Sequence, residues 1–240
     1  MKLLWANLCC ALLLFAQPFD IYTEELSPYN FTKEERVQGI SVEILIEMFA
    51  RSGETIDPST IQCVPWSRGL ARVKTGKRSI LFSTARLPER EAFFHWVGPI
   101  DVMQVGLVSK KSRAPLSSLE AIDTALIGTM VNTATEALLL KQGVKERNID
   151  RFLHLDTQVK KLENDRVDFI AFSVPALFYE ISAQGLDANA YALAYPLSKV
   201  SLYFAFSRDT PKETIDTLNA TLRAMHEDGT VEAIKTRYGQ

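Results

Sequence analysis

Three arginines in the first half of the chain are the side chains best suited to binding chemistry. Arg68, Arg86 and Arg90 lie close together in sequence, and Glu24 is the only obvious counter-charge near them. A guanidinium group stays charged in a cleft, and its planar fork binds a carboxylate through two hydrogen bonds. Side chains of this type are therefore candidates for binding an anionic group such as a carboxylate.

No group of residues forms a recognisable catalytic or metal-binding motif. His95, His154 and His226 are scattered without the spacing of metal ligands, and the sequence has no glycine-rich phosphate loop and no nucleophile motif around a serine or cysteine. Cys63 lies in an apolar stretch without a nearby histidine, which favours a buried, inert thiol. We therefore predict a binding protein that is not an enzyme and that holds no cofactor and no metal.

The composition is that of a folded protein whose partner is a small solute. Of the 240 residues, 47% are hydrophobic, which suits one compact fold or two small lobes. The 27 basic and 29 acidic side chains include no block of Lys or Arg that would mark a surface for nucleic acid or membranes. We expect a monomer that binds a small-molecule ligand and no nucleic acid.

The first 16 residues have the order of a secretory signal peptide. Lys2 precedes an uncharged apolar run at residues 3–15, and Ala16 supplies a small residue for cleavage. The alternative is an uncleaved anchor, but a transmembrane helix needs roughly 20 apolar residues and this run is shorter. We therefore predict export to the periplasm. Cys63 is then the only remaining cysteine, so the mature protein contains no internal disulfide.

Short apolar runs alternate with helix-like segments along the rest of the chain, and this pattern favours an α/β architecture with largely parallel sheets. The apolar runs predict strands at residues 19–23, 61–64, 80–83, 102–108, 126–130, 169–172 and 202–206. Apolar residues at helical spacing predict helices between Gly39 and Gly53, from residues 65–67 to Gly76, after Asn132 and Thr133, at residues 159–162, and at the C-terminus up to Gly229. Trp66 follows a predicted strand at its carboxyl end, where open α/β sheets bind ligands.

Short motifs of a known protein family occur in order along nearly the whole chain after the signal. They are Ser27-Pro28-Tyr29, residues 39–43, residues 65–68, the Arg-Leu-Pro-Glu-Arg segment at 86–90, Trp-Val-Gly-Pro at 96–99, Asn132 with Thr133, Arg-Val-Asp at 166–168, and Asp228 with Gly229. Through their order and spacing the chain resembles the polar amino-acid branch of the periplasmic solute-binding proteins that supply ABC importers. These are the family 3 extracellular solute-binding proteins.

The resemblance implies a two-lobed periplasmic-binding-protein-like fold of type II, in which two crossover strands form a hinge. The crossovers are expected near residues 100–104 and 199–203. Lobe 1 is then discontinuous, with residues 17–101 and 202–240, and lobe 2 comprises residues 102–201. The ligand is expected in the cleft between the lobes, where its contacts with both favour a closed state.

The resemblance also implies roles for residues on both sides of the cleft. Arg90 corresponds to the arginine that grips the ligand carboxylate, with a surface salt bridge to Glu89 or Glu91 as the alternative. Asn132 and Thr133 match the helix start at which the second lobe presents backbone N–H groups to an anion, a geometry that an ordinary N-cap shares.

Aromatic and polar side chains complete the implied site. Tyr29, Trp66 and Phe172 are expected to form its apolar walls. Three polar side chains are expected to contact the ligand: Glu24 at its distal end, Arg68 facing the cleft, and Ser83 at the end of its strand. A solvated loop carboxylate is the alternative for Glu24.

Two departures from the family pattern bear on the ligand. Ala85 stands where the family usually has a threonine, and Ser173 stands where the family has the acidic residue that neutralises an α-ammonium group. A hydroxyl cannot replace a carboxylate opposite an ammonium. An organic acid, a modified amino acid or a ligand with its amine elsewhere is therefore expected to fit better than a free α-amino acid.

The predicted function is capture of a small polar, carboxylate-bearing ligand and its delivery to the membrane permease of an ABC importer. Two alternatives remain open. The chain could be the periplasmic ligand-sensing input of a membrane receptor, or a lyase of the cyclohexadienyl dehydratase type, which occurs on the same fold with Glu24 as the acid.

Overall fold

The computed structural model describes residues 18–113, 116–122 and 124–238. The predicted signal peptide lies outside these residues. The described chain contains ten strands: β1 (Asp20–Thr23), β2 (Phe31–Lys33), β3 (Arg36–Gln38), β4 (Gln62–Cys63), β5 (Ser79–Ala85), β6 (Phe94–Lys110), β7 (Ile127–Met130), β8 (Ile149–Phe152), β9 (Phe169–Ser173) and β10 (Tyr191–Ser207). It contains seven α-helices: α1 (Ile40–Arg51), α2 (Trp66–Thr75), α3 (Ala134–Lys141), α4 (Leu155–Glu163), α5 (Val174–Ala183), α6 (Lys212–Glu227) and α7 (Thr230–Arg237).

Eight strands form one sheet in the order β4-β1-β5-β10-β6-β9-β7-β8. Its centre consists of β6 and β10, which are 17 residues long and pair antiparallel along nearly their whole length. The C-terminal part of β10 pairs with β5, whereas the C-terminal part of β6 pairs with β9, and each of these parts lies opposite the N-terminal part of the other long strand. Two strands therefore run from one half of the molecule into the other.

The segments predicted as crossovers lie in the middle of these two long strands. Lys199 pairs with Gln104, and Ser201 pairs with Val102. Pairing continues to Asp101 opposite Leu202, skips residues 98–100, which include Pro99 without an N–H to donate, and resumes with Val97 opposite Phe204.

The expectation of largely parallel sheets is correct only for the outer strands. β1 pairs parallel with β4 and β5, and β7 pairs parallel with β8 and β9. Every pairing of β6 and β10 is antiparallel. The difference arises because the two long strands run in opposite directions between the halves, which a local pattern of apolar runs does not encode.

Four parts of the fold were not predicted: the β2–β3 hairpin, β8, α5 and α7. The β2–β3 hairpin is short and polar, so it lacks an alternating apolar signal. Helix α5 begins directly after β9 without a connecting turn, and its Pro175 occupies the first turn, where proline is favoured. Helix α7 follows α6 after Gly229, which adopts a left-handed conformation with φ of 80°.

The larger hydrophobic core packs helices against the sheet. On α1 the predicted apolar face is buried, with Val42, Leu45 and Phe49 at 2% exposure or less. On α6, Leu222 and Met225 are buried in the same cluster. Full burial of such a side chain stabilises the fold by about 1.5–3 kcal/mol. Among the described helices, none combines the length and apolar character that a membrane span requires.

Candidate functional site

A small cavity of about 40 Å³ lies where the ends of several strands meet the long central pair. It is lined by residues that follow or end β1, β5 and β9, by the middle of β6 and β10, and by the start of α3. In open α/β sheets, ligands bind in the crevice at the carboxyl ends of strands. Seven of the residues named from the sequence line this cavity: Glu24, Trp66, Ser83, Arg90, Thr133, Phe172 and Ser173.

Arg90 is a buried cation whose hydrogen bonds go to main-chain carbonyls. It is 8% exposed, and its Nη1 and Nη2 donate to the carbonyl oxygens of Ala85 at 3.1 Å and Asn132 at 3.0 Å. The alternative salt bridge with a neighbouring glutamate is absent from the described residues, because Glu91 instead pairs with Arg86 at 2.5 Å. Burial lowers the pKa of Arg90, while the charges of Glu89 and Glu24 act in the opposite direction.

The carbonyl oxygen of Asn132 is shared by two donors from the other half of the molecule. Trp66 Nε1 donates to it at 2.9 Å and Arg90 Nη2 donates to it at 3.0 Å. Asn132 adopts a left-handed conformation with φ of 60°, and its own N–H donates to Glu136 Oε2 at 2.6 Å. The guanidinium of Arg90 also lies 5.3 Å from the centre of the Trp66 ring. Arg90 and Trp66 therefore form one contact unit with Asn132 across the cleft.

Glu24 is a buried acid that lines the same cavity. The residue is 7% exposed, and its Oε2 has no hydrogen-bond partner among the described residues. Burial raises the pKa of Glu24 to about 8, although the charge of Arg90 acts to lower it. The carboxyl group is therefore held mainly as the neutral acid at pH 7, and it is not a solvated loop carboxylate.

Ser83 belongs to a buried polar network that fixes the end of β1 against β5. It has a positive φ of 57°, close to a register shift between β5 and β10. Its Oγ donates to Asn30 Oδ1 and lies 2.9 Å from Ser41 Oγ, and Asn30 Nδ2 donates to the carbonyl of Glu24 at 2.7 Å. Irregular strand geometry of this kind re-aims a side chain, which here lines the cavity.

Two helices begin at the cavity. Thr133 is the N-cap of α3 and its Oγ1 accepts from Glu136 N at 3.3 Å. Ser173 is the N-cap of α5, is 1% exposed, and its Oγ accepts from Ala176 N at 3.3 Å. The Ser173 hydroxyl thus has a structural partner of its own. Backbone N–H groups at helix starts favour anions, and neither cap adds a negative charge.

Two residues named from the sequence lie away from the cavity. Tyr29 is 2% exposed within the hydrophobic core, where burial and the nearby Asp101 raise its pKa. Arg68 is exposed on α2 and lines none of the described pockets. The polar cavity residue that sequence reasoning missed is Thr135, and the missed apolar residues include Leu26, Met103, Val105, Val200 and Leu202. Met103 and Val105 could have been found from their spacing, since a strand presents every second side chain to the same face.

Cys63 is a partly buried thiol close to the cavity mouth. Its Sγ donates to Glu25 Oε1 at 3.2 Å. Burial, together with the charge of Glu25, raises the pKa of the Cys63 thiol to about 12. The thiolate that nucleophilic chemistry requires is therefore disfavoured, which agrees with the inert thiol predicted from the sequence.

A family model for bacterial extracellular solute-binding proteins, family 3, matches residues 21–240. A search of curated protein sequences finds no match to the chain. Among solved structures, a histidine kinase sensor domain with similarity to periplasmic binding proteins superimposes with a TM-score of 0.81 at 14% identity, covering 92% of this chain and 95% of that one.

Two further structures have the same fold at similarly low identity. An ancestral amino acid-binding protein, described as a precursor of cyclohexadienyl dehydratase, has a TM-score of 0.77 at 16% identity and covers 93% of this chain and 95% of its own. An amino acid ABC transporter substrate-binding protein from Streptococcus pneumoniae, bound to L-arginine, has a TM-score of 0.77 at 15% identity, with coverage of 91% and 93%. At these identities the likeness establishes the periplasmic-binding-protein-like fold.

Proposed function

Because this chain belongs to the bacterial extracellular solute-binding proteins of family 3, we propose that it captures a small carboxylate-bearing solute in the cavity and delivers it to the permease of an ABC importer. The mature protein acts in the periplasm after removal of residues 1–16. It performs no chemistry on the solute. The solved relative from Streptococcus pneumoniae is described as an ABC transporter component, which supports the same role here.

One observation carries the proposal: in the described part of the chain, no buried anion is bonded to the buried cation Arg90. A charge taken out of water is costly unless it is paired. Arg90 is 8% exposed and is held by two carbonyl oxygens, each with only a partial negative charge. A ligand carboxylate supplies the missing charge, and it accepts from the planar guanidinium in the bidentate geometry that this group favours.

We assign residues 17–101 and 202–240 to one lobe and residues 102–201 to the other. Support comes from β6 and β10, which run through both halves, and from the donors Trp66 and Arg90, which reach Asn132 across the cleft. Closure on a ligand is then a hinge motion about the middle of the two long strands.

The ligand is selected for its carboxylate more strongly than for an α-ammonium group. Ser173 and Thr133 place hydroxyl groups at the cavity, and Glu24 is held mainly as the neutral acid. None of these three groups supplies a full negative charge at pH 7. An organic acid, or an acid whose amine lies far from its carboxylate, satisfies this arrangement better than an α-amino acid.

A lyase activity is the second candidate, because Glu24 is a protonated acid beside an apolar cavity. Such a group can donate a proton to a leaving group near neutral pH. The ancestral precursor of cyclohexadienyl dehydratase shares the fold. Incubation with prephenate separates the candidates: formation of an aromatic product supports the lyase, and its absence together with tight carboxylate binding supports the binding protein.

The test of the principal proposal compares two arginine variants. A thermal-shift screen of the mature protein against organic acids, amino acids and amines first identifies a carboxylate ligand; at 100 times its Kd the ligand adds roughly 2.7 kcal/mol of stability. Calorimetry then measures binding to Arg90→Ala, for which we expect a loss of about 2–5 kcal/mol, or tens- to thousands-fold in affinity.

Arg68→Ala is the matched control, because Arg68 is exposed and away from the cavity. Its affinity should equal that of the wild type. A folded Arg90→Ala protein that binds the same carboxylate with unchanged affinity would refute the assignment.

A further inference from the structure

One of the two long strands is weakly held by the sheet where it crosses between the halves. In that region β10 pairs on both sides, since Leu202 lies opposite Ala85 of β5 and also opposite Asp101 of β6. In the described part of the chain β6 has no second neighbour there, because β9 pairs with it only at Val105–Val108. Its ladder to β10 is also interrupted at residues 98–100, which we call the break. The sheet alone therefore fixes β6 poorly at the entry to the hinge.

Side chains of helix α6 supply hydrogen bonds that the ladder lacks at the break. Asn219 Nδ2 donates to the carbonyl oxygen of Trp96 at 3.0 Å, and its Oδ1 accepts from the N–H of Gly98 at 3.2 Å. His226 Nε2 lies 3.2 Å from the carbonyl oxygen of Pro99, and it donates the proton because a carbonyl oxygen only accepts. The side-chain amide of Asn219 offers one donor and one acceptor, so it takes the place of a neighbouring strand.

Lys235 of helix α7 holds the residue that follows the break. Its Nζ lies 3.0 Å from Oδ1 of Asp101, and the two side chains are largely buried, at 19% and 14% exposure. Loss of one partner costs more in such a pair than in an ion pair on the surface. The side chain of Tyr29 is hydrogen-bonded to the same carboxylate. The next residue, Val102, is 51% exposed, so the support from lobe 1 ends at Asp101.

The backbone at Gly98 fits closely between β10 and α6. Gly98 has a φ of 151°, and a Cβ atom at this position would lie 2.5 Å from the Tyr203 ring. The Tyr203 ring has little room to move away, because the Trp96 ring and the Arg86 guanidinium lie 6.0 Å and 5.7 Å from its centre. On its other side Gly98 is bonded to Asn219. The break is therefore a packed feature of the fold, which requires glycine at this position.

We propose that three side chains of the C-terminal helices form a clamp on the first crossover, and that this clamp limits how far the two lobes open when no ligand is bound. The clamp consists of Asn219, His226 and Lys235. The inference rests on the proposed function only for the division into two lobes. With the clamp in place, bending falls on residues 102–104 and on their partners at 199–201. Without it the break bends as well, so the lobes sample a wider range of orientations.

The distance between two spin labels measures this range of orientations in the ligand-free mature protein. The labels are attached at Ala50→Cys on α1 and Ser182→Cys on α5, two exposed positions in different lobes, and Cys63→Ser removes the protein's own thiol. Double electron–electron resonance gives the distribution of distances. We expect Lys235→Met to make this distribution about twice as broad and to extend it to longer distances, because residues 98–100 then bend too.

Three further variants separate the clamp from a general loss of stability. Asn219→Ala removes the two hydrogen bonds from α6 and should broaden the distribution in the same way. Lys235→Arg keeps a cation opposite Asp101 and should retain the wild-type width. Arg237→Met is the matched control, because it removes an ion pair between the same helix and Glu43 of α1, away from the crossover. A wild-type width in either Lys235→Met or Asn219→Ala, with the fold confirmed by circular dichroism, or equal broadening in Arg237→Met, would overturn the inference.

The outcomes separate this inference from the proposed function, because the distances are measured without any ligand. If the clamp variants keep the wild-type width while Arg90→Ala loses carboxylate binding, the clamp fails and carboxylate capture stands. If the clamp variants broaden the distribution while Arg90→Ala binds a carboxylate as the wild type does, the proposed function fails and the clamp stands.

Discussion

The most perturbed acid of the site, Glu24, makes the stability of the protein depend on pH. Burial raises its pKa from 4.5 to about 8, so the folded state keeps a proton that the unfolded state releases between these values. The folded state then binds more protons than the unfolded state, and stability falls as pH rises through this window. Each pH unit in the window costs up to about 1.4 kcal/mol.

We expect Glu24→Gln to abolish this loss of folding stability at high pH. Denaturant unfolding of ligand-free protein at pH 5 and pH 9 should show the variant gaining stability over the wild type at the higher pH. Glu213→Gln, which changes an exposed acid, should follow the wild type at both values. A Glu24→Gln protein with the same pH dependence as the wild type would show that Glu24 is ionised in the folded state.

Individual binding residues could be predicted where their local context decides their position. Trp66 follows a strand end and Thr133 starts a helix, and both line the cavity. The core position of Tyr29 could not be inferred in this way, because a loop aromatic can face either the core or the cleft. The exposed position of Arg68 depends on which face of α2 packs against the sheet, and its neighbour Gly69 lies on the buried face.

At the level of elements, we expect the start of α5 to determine whether the cavity accepts an amine. Ser173 ends β9, caps α5 and lines the cavity, so one position has three roles. Aspartate is also a good N-cap and is favoured by the dipole of the helix. Ser173→Asp should therefore fold, while it adds a buried negative charge to the site.

We expect Ser173→Asp to bind L-norleucine more tightly than the wild type does and to bind hexanoate at least about tenfold less tightly. The new carboxylate pairs with the α-ammonium of norleucine, but without that partner it is a costly buried charge. Calorimetry with both ligands measures the change. Ser173→Asn keeps the cap without the charge, so it should resemble the wild type; unchanged binding of both ligands to Ser173→Asp would place amine recognition elsewhere.

Helices with a strong local apolar pattern could be predicted from the sequence. Strands whose length depends on pairing with another strand could not. The apolar spacing in α1 and α6 identified their buried faces. The full length of β6 and β10 was not apparent, because their middle segments are partly exposed and interrupted by Pro99 and Pro196. Only the pairing of one strand with the other shows that each continues through the junction.

At the scale of the whole molecule, the two long strands predict a change of shape on binding. Besides these strands, the contacts between the two halves include the two hydrogen bonds to Asn132 and the contact between Phe31 and Tyr179, whose ring centres are 5.8 Å apart. A net gain of about 1 kcal/mol per hydrogen bond is small against the entropy of an open hinge. A ligand that contacts both halves adds further favourable contacts between them.

Small-angle scattering should therefore show a smaller radius of gyration with a saturating carboxylate ligand than without it. Trp66→Phe removes one donor to Asn132 and should require more ligand for the same compaction. Trp96→Phe is the matched control, because the buried Trp96 Nε1 has no hydrogen-bond partner among the described residues, so its loss breaks none of the hydrogen bonds seen there. An identical radius with and without ligand would contradict the hinge.

The carbonyl oxygen of Asn132 also has a consequence for selectivity. It takes up one of the five N–H groups of the Arg90 guanidinium, so a solute that binds in its place must form a more favourable hydrogen bond than this carbonyl oxygen does. A neutral solute can offer only another carbonyl oxygen, and exchange of one such oxygen for another yields almost no free energy. A carboxylate forms charge-assisted bonds roughly twice as strong, so it alone gains from the exchange. If Arg90 holds the ligand as proposed, this exchange favours carboxylates over neutral amides and sugars.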